Sequence, residues 1–326
     1  MSRNLKIFIS GGAGFIGYHL ALKLSELKNN VLIYDNFVNY LPPLVSNYES
    51  KLHFRMSNLR DKTKIVRGNV CNKYHLNQVL TDFEPDVIID LTAIPIVRLA
   101  NEFFEDSVNN NLLSVCALLE AVRAIKDIKQ FIYISSSYVY GDFVKDSVDE
   151  KDTCLPKDIY GGTKYCGEVL TESFSKMNGN DYTLIRPCAV YGPTDANMRV
   201  VAEFIRRALN NETVIMKGDI GNRIDFTYVG DLVSGIILSI NNEKAFNQTF
   251  NLSYGKARSL KELADIISTF FPQVECKLQQ EEIKGLRRGT LSIEKAKSVL
   301  GYVPEYSLEK GVENYIDFVK LHGGMI

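Results

Sequence analysis

The stretch Ser10 followed by GGAGFIG at residues 11–17 constrains the chain most, because it follows an apolar run at 5–9 and opens a helical pattern at 19–27. Glycines at 11, 14 and 17 in that setting describe a strand turning sharply into a helix whose free N–H groups and positive dipole end face an anion. Gly11 suits the tight turn, Gly14 lets a pyrophosphate approach the backbone, and Gly17 lets the helix pack closely on the strand. A second apolar run, Val31-Leu32-Ile33-Tyr34, ends in Asp35 about 20 residues on. A carboxylate there accepts both ribose hydroxyls and repels a 2′-phosphate, so the expected cofactor is NAD rather than NADP.

The rest of the composition narrows the partners. With 326 residues the chain can build one large α/β domain or two smaller ones, and a formal charge of −1 creates no field that would recruit nucleic acid or an anionic membrane. No apolar run is long enough to span a bilayer, and the expectation is a soluble, cytoplasmic protein. Six cysteines (71, 116, 154, 166, 188, 276) and four histidines (19, 53, 75, 322) form no ligand spacing, so neither disulfides nor a metal site is expected.

Strands alternate with helices, which means a parallel sheet. Strand signals fall at 65–66, 86–89, 131–134, 182–185 and 250–252, and helical patterns at 72–83, 106–126, 159–176, 199–209, 231–240, 259–271 and 308–321. Residues 36–62 form a long insertion in which Pro42-Pro43 breaks regular structure before a possible short helix near 44–54. Beyond Pro193 the pattern becomes irregular.

The chemistry sits in two places. Tyr160 and Lys164 are four apart at a helix start and share a face. A nearby ammonium and the cationic nicotinamide ring both favour a phenolate, which makes Tyr160 a candidate base. Ser136, at the end of strand 131–134, can hold a substrate hydroxyl so that its proton lies towards the phenol. Each feature alone is ordinary helix or turn chemistry; their order along the chain suits removal of a proton from an alcohol as hydride leaves for NAD.

GGAGFIG at 11–17, Asp35, SSSYVYG at 135–141, YGGTK at 160–164, RPCAVYGP at 186–193 and RIDFTYVGDL at 223–232 together resemble an extended short-chain dehydrogenase/reductase of the nucleotide-sugar branch, over nearly the whole length. The resemblance implies a Rossmann-type doubly wound parallel sheet with a smaller, mixed α/β C-terminal substrate domain. Residues 1–186 with about 229–251 would bind NAD, and about 187–228 with 252–326 the nucleotide sugar. It implies cofactor contacts from Gly11, Gly14, Phe15, Ile16, Gly17, Asp35, Asn36, Asn69, Val70, Leu91, Thr92, Ala93, Asn111, Tyr160 and Lys164. Asn69 would face the adenine, Asn111 would steady the helix beneath the site, and Lys164 would reach the nicotinamide ribose. Substrate contacts would come from Ser136, Ser137, Tyr138, Ala189, Arg223 and Arg287, with Arg287 the better candidate for the diphosphate. A homodimer through helices 106–126 and 159–176 is implied as well. Two positions depart from the pattern: Asn69 stands where Asp is usual, and Ala189 where Asn is usual.

Members of this branch oxidise sugar C4 and then diverge. Dehydratases resembling this chain follow the catalytic hydroxyl with Asp-Glu, whereas Ser137 and Tyr138 follow Ser136 here. The glutamate of decarboxylases and the cysteine of reductases or 3,5-epimerases are missing from the loop too. The expectation is therefore a nucleotide-sugar 4-epimerase: oxidation to a 4-keto sugar, rotation, and hydride return to the other face. Epimerisation at C2, C3 or C5, reduction, 4,6-dehydration, and a non-catalytic NAD-binding sensor stay open as alternatives.

Overall fold

The computed structural model describes residues 4–40, 48–217, 222–279 and 285–323. Its main sheet has seven strands, β1 (Lys6–Ser10), β2 (Asn30–Asp35), β3 (Lys64–Arg67), β4 (Val87–Asp90), β5 (Gln130–Ile134), β6 (Tyr182–Pro187) and β7 (Gln248–Leu252). They lie in the order β7-β6-β5-β4-β1-β2-β3 with every neighbouring pair parallel. The order reverses between β1 and β4, which opens a crevice at their carboxyl ends.

Alternation along β1 explains the layers. Ile7 and Ile9 point to one face, where Leu20, Leu24, Leu232 and Ile236 of the helices Phe15–Glu26 and Val229–Ser239 cover them. Phe8 points to the other, under Leu76 and Leu80 of Lys73–Phe83 and Val115 and Leu118 of Ser114–Val122. A second apolar cluster forms where the helices Val200–Leu209, Leu260–Phe270 and Leu308–Leu321 meet around Ile205, Leu263 and Ile316. Short pairings stitch this part to the sheet side. Thr290–Leu291 pairs with Ser147–Val148, which carries the segment from residue 285 to the loop after β5.

The long helix expected at 106–126 is interrupted. Helix begins at Val97–Glu102, continues as Phe104–Val108, widens into a π turn at Asn109–Leu113 and resumes as Ser114–Val122. Apolar spacing alone does not register the π turn, because the buried stripe passes through it. The insertion helix is Tyr48–Leu59, shifted from the expected 44–54; Pro42-Pro43 and the rest of 41–47 lie outside the described residues.

Two polar devices fix the architecture around the crevice. Arg186 of β6 donates from Nε and Nη2 to the Glu168 carboxylate at 2.9 and 2.6 Å, and from Nη1 to the Tyr140 hydroxyl at 2.9 Å. Tyr140 in turn donates to Asn251 Oδ1 of β7 at 2.8 Å, so one buried network joins two strands, the helix Ile159–Asn178 and the loop after β5. The second device holds the segment after β6. His19 Nε2 meets the Pro193 carbonyl at 2.9 Å, Arg55 Nη1 donates to the Thr194 carbonyl at 3.0 Å, and Lys51 Nζ to that of Asp195 at 2.7 Å. The insertion helix thus supplies two buried cations that tie residues 194 and 195 to the cofactor side.

His19 has to keep Nε2–H for its bond, and burial lowers its pKa from 6.5 to about 4. The unfolded chain therefore binds more protons than the folded one between those values, and stability falls as pH drops from about 6.5 towards 4, by up to about 2 kcal/mol at pH 5. His19→Gln keeps the donor and removes the titration; urea midpoints at pH 7.5 and 5 should differ less in the variant than in the parent, and an equal difference would contradict this assignment.

Candidate active site

At the crevice the chain leaves β1 through Gly11, whose φ of +68° favours glycine. A Cβ at Gly11 would lie 2.9 Å from the Leu91 carbonyl group, and one at Gly17 would lie 2.6 Å from Gly12 Cα. The turn is therefore pressed against the end of β4 and the helix Phe15–Glu26 against the turn. Both close approaches are what a backbone cradle for a pyrophosphate requires. Asp35 closes the other side: Oδ1 accepts from Phe37 N at 2.7 Å and Oδ2 from Ala13 N at 3.0 Å. Burial raises its pKa, and the two backbone donors with Arg55 draw it back down.

A cleft over this turn is lined by the expected Gly11, Gly14, Phe15, Ile16, Gly17, Asp35, Asn36, Leu91, Thr92 and Ala93. Glycine cradle and ribose-side carboxylate fit a dinucleotide. Asn69 is exposed and uses its side chain on Cys71 N at 2.9 Å, while Val70 is in the core under the sheet. Neither lines the cleft. Asn111 sits in the π turn, buried, accepting from Ile94 N at 2.7 Å and donating to Thr163 Oγ1 at 3.2 Å. It anchors the segment after β4 to the helix Ile159–Asn178 beside Tyr160. Tyr48, Arg55 and Arg199 also line the cleft and carry no signature in the sequence.

The helix Ile159–Asn178 starts at a firm cap, Asp158 Oδ1 accepting from Gly161 N at 2.7 Å, which fixes the turn that carries Tyr160. Tyr160, Lys164 and Ser136 are not among the residues that line the cleft, whereas Arg199, whose charge acts on the Tyr160 phenol, is. The Ser136 hydroxyl is close enough to the Tyr160 phenol to draw its pKa down. Ser136 is held by its own acceptance from Tyr138 N at 3.2 Å. Burial raises the Tyr160 pKa, and Arg199 is the cation that pulls it down. Lys164 is fully enclosed, donates from Nζ to the Ile134 carbonyl at 2.8 Å and lies 4.8 Å from the Tyr133 ring centroid. Burial lowers its pKa to about 8, with Asp90 and Glu168 opposing. The bond to the Ile134 carbonyl uses one of the three ammonium hydrogens of Lys164, and Arg199, held by Asp195 Oδ2 at 3.0 Å, is a cation that acts on the phenol.

A second cleft contains Asp146, Asn222, Arg223, Arg287 and Arg288. Arg223 donates to the Ala257 carbonyl at 2.9 Å and pairs with Glu262 at 3.2 Å, half exposed. Arg287 is turned to solvent, its guanidinium 3.7 Å from Asp146. Arg288, one residue on, points inward. Its Nη2 donates to Ser137 Oγ, and its Cζ lies 4.5 Å from the Tyr138 ring centroid. Nothing in an aperiodic segment says which of two adjacent arginines faces in; the pairing of Thr290–Leu291 with Ser147–Val148 decides it. Ala189 adopts φ +37° and presents only a methyl group.

Residues 7–253 match the sequence profile of the NAD dependent epimerase/dehydratase family, and the chain belongs to that family. A UDP-glucuronate 4-epimerase of Arabidopsis thaliana is 27% identical over 339 residues, covering 97% of this chain and 76% of that protein. Among solved structures, UDP-glucose 4-epimerase from Thermotoga maritima with UDP-glucose superposes with a TM-score of 0.86 at 27% identity, covering 97% of this chain and 99% of that one. UDP-glucuronic acid 4-epimerase from Bacillus cereus, in complex with UDP-glucuronic acid and NAD, gives the same TM-score of 0.86, identity of 27% and coverage of 97% and 99%. Among the described residues no helix is long and apolar enough to cross a membrane.

The carboxylate of Asp35 can be tested directly. Asp35→Ala should weaken NAD and relax the preference over NADP, measured as dissociation constants for the two; unchanged selectivity would mean that the ribose is read elsewhere.

Proposed function

We propose that the protein is an NAD-dependent nucleotide-sugar 4-epimerase. The observation that carries this reading is the pairing of Tyr160 with Ser136, which acts on its phenol beside Arg199 of the dinucleotide cleft, in a loop whose neighbouring residues, Ser135, Ser137 and Tyr138, bring hydroxyls and no carboxylate. Bound NAD would supply a reversible hydride acceptor beside sugar C4. Ser136 would orient the C4 hydroxyl, and Tyr160, eased towards its phenolate by Arg199, would take its proton and later return it. Lys164, anchored on Ile134, would present its ammonium to the nicotinamide ribose. No group in the loop is placed to expel the C6 hydroxyl or to take a proton from C5, so return of the hydride to the other face of C4 is the outcome the site favours.

In this reading residues 1–186 with about 229–251 hold the cofactor, and about 187–228 with 252–326 hold the nucleotide sugar. Arg223 and Arg287 stand at the open cleft for the diphosphate. The exposed Phe104, Leu113, Val169 and Leu170 on the helices of 97–122 and 159–178 support a homodimer through that face. All six cysteines are free thiols, which fits a reducing cytoplasm.

Proton NMR of UDP-glucose and UDP-glucuronate incubated with the protein and NAD should give the C4 epimer. A 4,6-dehydrated, decarboxylated or otherwise inverted product would contradict the proposal. Tyr160→Phe should still bind NAD while turnover falls by about 100-fold or more; near-normal rates would remove Tyr160 from the mechanism.

A further inference from the structure

Three arginines lie in the second cleft, and they are not equivalent. Arg223 and Arg287 face solvent and have acidic neighbours in Glu262 and Asp146. Arg288 is wedged between aromatic rings, its Cζ 4.5 Å from the Tyr138 centroid and 5.0 Å from that of Phe143. Its Nη2 reaches Ser137 Oγ and lies 3.4 Å from Cys188 Sγ. Its Nη1 is buried and has no hydrogen-bond partner. Asp158 feels its charge, but that carboxylate is already committed to capping the helix at Gly161 N. A guanidinium that is held on two sides and has one buried N–H unmet is short of an acceptor.

Its position defines which acceptor. Tyr138, under Arg288, meets the Tyr160 ring edge-on with centroids 5.6 Å apart. Ser137 directly follows Ser136, whose hydroxyl acts on the Tyr160 phenol. If Tyr160 and Ser136 hold the oxygen on sugar C4, the groups next to Ser137 and Arg288 are those on the two neighbouring ring carbons, the hydroxyl on C3 and the C6 group on C5, and of these only C6 can carry a charge that answers the guanidinium. Ser137 Oγ accepts from Arg288 and so keeps its own hydrogen to donate. An Arg fork with a hydroxyl beside it matches the two oxygens of a carboxylate. A primary alcohol at C6 would leave the guanidinium charge unanswered.

We propose that Arg288, with Ser137, selects nucleotide sugars carrying a C6 carboxylate, so that the substrate is a nucleotide-activated hexuronate rather than a neutral hexose. The inference rests on the 4-epimerase reading and adds the substrate class to it. The open arginines are left for the diphosphate common to both kinds of sugar.

The test compares kcat/KM on UDP-glucuronate and on UDP-glucose for the parent, Arg288→Gln and Arg288→Lys, with products read by NMR. Because both substrates meet the same preparation, their ratio does not depend on the fraction that has folded. The parent should favour UDP-glucuronate. Arg288→Gln should lower the ratio by about 10- to 100-fold, the loss expected for a charged hydrogen-bonded pair, and Arg288→Lys should retain part of it. A parent that favours UDP-glucose, or a glutamine variant with an unmoved ratio, would overturn the proposal and place Arg288 on the diphosphate or in the scaffold. Failure of the underlying reading looks different: the parent would then change neither sugar at C4, or turn UDP-glucuronate into a UDP-pentose with loss of CO2, before any variant is compared.

Discussion

The close approach of the Gly11 turn to the end of β4 is the contact on which the rest depends. A Cβ at Gly11 would press on the Leu91 carbonyl group, and one at Gly17 on Gly12, so only a chain without side chains there can bring strand, turn and helix this near. Asp35 then ties the turn to the end of β2 through Ala13 N, which makes the carboxylate proposed to read the ribose a structural clasp as well. With that clasp in place the cleft already has its shape, and a dinucleotide would add itself to a preformed surface.

Fixing the helix that carries Tyr160 is a separate problem, solved by buried charge. The Arg186–Glu168 pair is almost wholly enclosed, and its two parallel hydrogen bonds fix the helix bearing Tyr160 against β6. Such a pair stabilises little relative to apolar packing, but removing one partner leaves a stranded charge. The network therefore holds one arrangement of the site rather than merely adding stability. His19, Lys51 and Arg55 act in the same way on the segment after Pro193, which carries Arg199 towards Tyr160. The insertion at 36–62 acquires a role by this route, as the source of the two cations that hold residues 194 and 195 against the helix between β2 and β3.

The glycine turn, Asp35, Ser136, Tyr160 and the alternating strands were legible in the sequence because each is defined by neighbours a few residues away. Arg199 and Arg288 were not. The bond from Arg55 to residue 194 spans 139 positions and that from Arg288 to Ser137 spans 151, in segments with no periodicity to orient a side chain. The spacing of Lys164 from Tyr160 gave no hint that its ammonium would also bond the Ile134 carbonyl. Asn111 bonds Ile94 N and Thr163, and the π turn that aims it leaves the apolar stripe of the helix unchanged, so periodicity does not reveal it.

The central claim is that hydrogen leaves sugar C4 and returns to the same carbon from the other side, with Tyr160 handling only the hydroxyl proton. Tracing deuterium placed at C4 of UDP-glucuronate tests it most directly, with the reaction run in ordinary water and the product examined by NMR and mass spectrometry. The account predicts a C4 epimer that keeps its deuterium at C4. A product with ordinary hydrogen at C4, or with the label on another carbon, would contradict it.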